Sequence, residues 1–206
     1  MREDTKQKLQ EVKRSFRGMM NGVASQSMRN KGVSYKLNWG VPLMELRELA
    51  TEYGKDYDLA LALWDEDIRE CKILAGLIMP KEDMTPELAS KWMEETPTQE
   101  IAELTTFHLY QYVDGAKQLA FLWIKRPDAI HRIAAFHLLL GLFSKGYHPT
   151  DQEVSSVVEQ ANLVLSERQL SVKHAAMNCL DSLVTLDDKY AQIVKSKIKS
   201  NDLYIF

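Results

Sequence analysis

Trp39-Gly40-Val41-Pro42-Leu43 is followed by Ala60-Leu61-Ala62-Leu63-Trp64 and then by Arg69-Glu70-Cys71-Lys72-Ile73-Leu74-Ala75, and this order of parts decides the fold. Glycine tolerates backbone angles that other residues avoid, and proline fits the first turn of a helix, so Trp39 to Pro42 reads as a turn that opens one. The two apolar runs after it carry the helical period rather than the alternation of a strand.

The same period extends in both directions. Leu9, Val12, Phe16, Met19 and Val23 form one stripe, and later ones run through Leu43/Leu46/Leu49/Ala50, Ile101/Leu104/Thr105/His108/Leu109 and Val154/Val157/Val158/Ala161/Leu165. Pro42, Pro86 and Pro127 sit near helix starts, 44 and 41 residues apart, a spacing that suits two-helix repeats of roughly 40–47 residues. The expected architecture is all-α: a right-handed superhelical array of HEAT-like repeats, one domain over residues 1–206, with 1–31 as a basic N-terminal helical segment. Such an array presents a concave trough lined by one helix of each pair, suited to duplex DNA or to another protein's helix.

Composition is that of a globular protein, with 45% hydrophobic and 27% charged residues and a net charge of −3. The charge is uneven: residues 1–31 hold eight Lys/Arg against three Asp/Glu, whereas residues 32–147 hold 12 against 18. Cys71 and Cys179, far apart and each in an apolar helical pattern, read as buried free thiols of a reducing compartment. With no apolar signal core after Met1-Arg2-Glu3-Asp4 and no run long enough to span a bilayer, the expected location is the cytoplasm.

The histidines show no paired metal-ligand spacing, and no phosphate loop or nucleophile elbow occurs, so neither metal nor cofactor is expected. The cations are more informative. Arg69 and Lys72 share a helix face, Lys125, Arg126 and Arg132 gather at the start of the most apolar helix, and Lys173 and His174 begin a later one. At equivalent positions of successive repeats these side chains would line one trough and meet phosphates; the competing reading is an ordinary solvated helix face.

From about Ala24 to Val184 the chain resembles the DNA alkylation repair family, the AlkD-like glycosylases built from HEAT-type repeats. The resemblance rests on the order of parts in residues 39–78 and on His131-Arg132-Ile133-Ala134, which is similar to the family's Arg-Arg-x-Ala pattern with histidine for the first arginine. It implies that Arg132 contacts the DNA backbone near a lesion. The family's tryptophan and aspartate, seven and eleven residues beyond an earlier tryptophan, fall at Gln99 and Glu103 when that earlier residue is Trp92; a further family aromatic falls at Asn178 when Val172-Lys173-His174-Ala175 is matched.

A cationic N3- or N7-alkylpurine leaves as a neutral base, so its excision needs stabilisation of oxocarbenium charge and a placed water rather than a general acid. A carboxylate at Glu103 supplies charge; Gln99 and Asn178 lack the aromatic face that attracts a cation and packs the sugar. The resemblance therefore implies duplex binding on a concave face, with N-glycosidic hydrolysis of alkylated or damaged DNA resting on Glu103. The residues leave open a catalytically inactive HEAT module that binds a DNA structure or a protein partner. Trp123, Tyr110, Tyr112, Phe107 and Phe136 lie nearby in sequence and read as core at helical spacing.

Overall fold

The computed structural model describes residues 2–198. Among them are twelve α-helices and no strand, apart from one isolated parallel bridge between Leu37 and Ile68. The helices group into two compact units, Met1–Asp114 and Gly115–Phe206. Most start where a short polar side chain accepts a bond from a first-turn N–H that has no partner within the helix: Asn21, Asp56, Thr85, Thr98, Asp128, Thr150 and Asp187 all do so.

The first unit contains α1 (Glu3–Gly18), α2 (Gly22–Asn30), α3 (Leu43–Tyr53), α4 (Tyr57–Trp64), α5 (Arg69–Ile78), α6 (Pro86–Glu94) and α7 (Gln99–His108). Helix α5 is its centre, packed on α3, α4 and α7, with every residue but Leu77 buried. Helix α1 docks on α4, burying Leu9, Val12 and Phe16. Two of its cations and the arginine before it pair there, as Lys8–Asp56 (2.9 Å), Lys13–Glu66 (2.9 Å) and Arg2–Asp58 (3.1 Å). The first stripe stops short of the expectation: α1 ends at Gly18 and Asn21 caps a new helix, so Val23 leaves the stripe and is 83% exposed.

The second unit contains α8 (Ala116–Trp123), α9 (Ala129–Ser144), α10 (Asp151–Leu165), α11 (Leu170–Val184) and α12 (Asp188–Lys197). Helix α9 packs on α8 and α11, and its Ile133, Ala134, Phe136, Leu138 and Leu139 are buried, as a nearly all-apolar sequence requires. Cys71 and Cys179 are buried free thiols, and burial pushes both well above the usual thiol range. No helix among the described residues is long and apolar enough to cross a membrane.

The opening turn is tightly built. Gly40 has φ of +74° and lies so close to α2 that a Cβ would come within 2.2 Å of the Asn21 carbonyl oxygen. Pro42 follows as the residue preceding α3. The turn's N–H groups are taken by the buried Glu70 carboxylate, which accepts from Trp39 (3.3 Å), Gly40 (3.0 Å) and Val41 (3.2 Å).

Candidate nucleic-acid interface

Arg69 and Lys72 are not on an exposed face, which corrects their expected role as phosphate contacts. They belong to α5, enclosed by its neighbours, and are 3% and 7% exposed. Arg69 donates to Glu100 at 2.6 and 2.8 Å, to Glu70 and to the Val41 carbonyl, while Tyr35 donates to the same Glu100. Lys72 donates to the Trp64 carbonyl at 2.6 Å and lies over the Trp64 ring. Periodicity marks which residues share a face, but a helix packed on three sides has no outward face. A pocket of about 100 Å³ opens among Ser34, Tyr35, Lys36, Asp67 and Arg69, well below the roughly 300 Å³ at which small-molecule sites begin.

Burial pushes the Glu100 carboxyl upward, and the Arg69 bonds, the Arg69 charge and the Tyr35 bond outweigh it, leaving Glu100 below its ordinary 4.5. A carboxylate depressed in the fold adds stability above its unfolded pKa and loses it as pH falls through the folded value. Unfolding free energy is therefore expected to drop as pH is lowered from about 4.5, and Glu100→Gln, less stable at neutral pH, should show a flatter decline over that range. Urea titrations between pH 3 and 6 measure this; identical slopes would remove Glu100 as a source of acid sensitivity.

At the positions matched to excision chemistry, Gln99 and Glu103 lie one turn apart on α7, and the exposed Gln99 amide donates to the Glu103 carboxylate at 2.7 Å. Asn178 belongs to α11 in the second unit and is exposed. The earlier tryptophan, Trp92, is core: it stacks on Trp64 at 4.1 Å between ring centroids, and Trp64 Nε1 donates to Glu95. Trp123, Tyr110 and Phe136 are buried as expected, whereas Phe107 and Tyr112 are 65% and 47% exposed.

In the second unit Arg132, 11% exposed, gives both terminal nitrogens to Glu167 at 2.6 and 2.9 Å, tying the start of α9 to the loop before α11. A phosphate would reach it only by displacing Glu167. His131 is buried, with Nδ1 2.8 Å from Asp128. Lys125, Arg126 and His174 are exposed and Lys173 half-buried, so these four keep the surface position the sequence suggested.

One basic cluster escaped the sequence reading. Arg47 of α3, Lys55 after it, Lys81 in the 3-10 turn Lys81–Asp83 and His108 at the end of α7 come together in the first unit, with Arg47 Nη2 3.4 Å from His108 Nε2. They come from four separate elements, and no spacing in the chain could have joined them.

The model of the DNA alkylation repair enzyme family matches residues 7–190. The chain belongs to that family. No curated protein matches it in sequence. Among solved structures it is similar to one described as representing a new family of proteins related to the HEAT-like repeat DNA glycosylases with affinity for branched DNA structures. The two are 15% identical, the match covers 94% of this chain and 86% of the other, and the TM-score is 0.77. At that identity the likeness establishes a shared HEAT-like helical fold. Within the DNA alkylation repair family this chain has Gln99, Glu103 and Asn178 where the resemblance places an excision site.

Proposed function

We propose that this member of the family binds duplex and branched DNA through exposed cations and excises alkylpurines poorly or not at all through the matched residues. The observation that carries the reading is the Gln99–Glu103 pair: the half-buried carboxylate accepts from the exposed neutral amide that stands where the resemblance places an aromatic, so a polar group and not a ring lies beside it. No aromatic stands at Gln99 or Asn178 to pack a sugar. DNA binding is supported by membership of a DNA repair family and by the surface positions of Lys125, Arg126, Lys173 and His174. Affinity for branched DNA is stated for the structurally similar protein, and it motivates including branched substrates here.

The expected result is salt-dependent binding of a blunt duplex and of a four-way junction, with Lys125→Ala and Arg126→Ala each lowering the magnitude of the duplex salt slope by about 0.9. Single-turnover release of N7-methylguanine is expected to be at most weak and the same in Glu103→Gln as in the unmodified protein. Rapid release that falls by about 100-fold or more in Glu103→Gln would establish the enzyme instead. Absence of salt-dependent binding to either substrate would leave a protein-binding HEAT module.

A further inference from the structure

The basic cluster of the first unit has a feature that duplex binding does not need: exposed aromatic rings beside two of its members, His108 and Lys81. Phe107, 65% exposed, stands edge-on to the His108 ring at 5.1 Å between centroids. Tyr112, 47% exposed, carries Lys81 Nζ 3.3 Å from its ring centroid. Lys55 donates to the carbonyls of Leu77 and Met79 at the end of α5, which fixes its ammonium beside the same surface.

The charges act on one another. Burial and then the positive charges of Arg47, Lys55 and Lys81 hold His108 below its ordinary range, and burial and then Lys81 lower Lys55. Glu82 opposes the shift at Lys55. A surface whose lysines and arginine keep a histidine neutral and lower one another favours an anion that would relieve the repulsion.

In a paired duplex both faces of a base are covered by its neighbours, so a protruding phenylalanine gains little from one. An unpaired nucleotide offers an open face and a phosphate together, and cations interleaved with aromatics are the arrangement that binds it. We propose that Phe107 stacks an unpaired DNA base while Arg47, Lys55 and Lys81 hold the adjoining phosphates, beside a neutral His108. The inference rests on the DNA-binding reading above and assigns this surface to the single-stranded part of a branched substrate. Phe107 is three and four residues from Leu104 and Glu103 on α7, so the strand would run beside the position matched to the family carboxylate rather than into an enclosed base pocket.

The test uses the full chain, a fluorescein-labelled 12-nucleotide oligo(dT) and a blunt duplex, read by fluorescence anisotropy. Phe107→Ala is expected to weaken oligo(dT) binding by about 5- to 100-fold, with Phe107→Trp restoring it and duplex affinity unchanged. Lys81→Ala should lower the magnitude of the single-strand salt slope by about 0.7. Phe107 is exposed, so its removal leaves the fold intact, which circular dichroism verifies. Equal oligo(dT) affinity in Phe107→Ala and the unmodified protein overturns the proposal, as does a unmodified protein that binds duplex but not oligo(dT). Oligo(dT) binding that depends on Phe107 in a protein that ignores duplexes and junctions upholds this site while ending the duplex reading.

Discussion

Gly40→Ala is expected to destabilise the protein by on the order of 3–5 kcal/mol, which would remove a large part of the roughly 5–15 kcal/mol that holds a typical domain folded. Two costs coincide at this position. The left-handed backbone, with φ of +74°, strains any residue bearing a Cβ, and the added carbon would lie 2.2 Å from the Asn21 carbonyl oxygen and 2.8 Å from the Ser25 nitrogen. Neither neighbour is the far end of a flexible side chain. Both are backbone, of the Asn21 cap and of α2 itself, and the Asn21 N–H is held by the Trp39 carbonyl at 2.9 Å. Relief therefore requires α2 to separate from the turn. Urea unfolding followed by circular dichroism measures the effect, and a loss below about 1 kcal/mol would show that the turn adapts without moving α2.

Glu70→Ala is expected to cost about 3–5 kcal/mol, the range for removing one partner of a buried charge pair. Glu70 is fully buried, and its loss takes the acceptor from the Trp39 and Val41 N–H groups, Gly40 keeping Asn38 Oδ1 at 2.7 Å, and places the whole Arg69 charge on Glu100. Glu70→Gln should fall between, because its amide oxygen can accept while its amide nitrogen faces N–H donors. Equal stability of Glu70→Ala and the unmodified protein by denaturant titration would show that the turn is held by Gly40 and Pro42 alone.

The helical class and the turn at Trp39–Pro42 were legible in the sequence because each depends on local signals: period, caps and proline placement; the proline spacing, read as two-helix repeats, spans three helices in each interval, α3–α5 and α6–α8. The family was legible through the order of those parts. What periodicity could not reveal is enclosure. Arg69 and Lys72 carry the spacing of a solvated face, yet α5 is surrounded, and their charges are satisfied by Glu100, Glu70 and the Trp64 carbonyl. Arg132 shows the same limit, since its partner Glu167 lies 35 residues away. Phe107 reads as core from its spacing and turns out exposed, because α7 packs on α5 through Ile101, Ala102 and Thr105 and leaves Gln99, Glu103 and Phe107 on the side away from it.

The Arg69–Glu100 pair joins the first turn of α5 to the first turn of α7, while Glu70 reaches back to the turn before α3. Two adjacent residues thus link three successive layers of the stack. In a repeat protein, stability is close to a sum of what each layer contributes alone and what each seam between neighbours contributes. A strong seam on both sides of α5 makes these layers melt together, whereas an array with weak seams frays from its ends. The cooperativity of the first unit therefore draws on this dipeptide as well as on the apolar packing of α5, because loss of either arm weakens one seam.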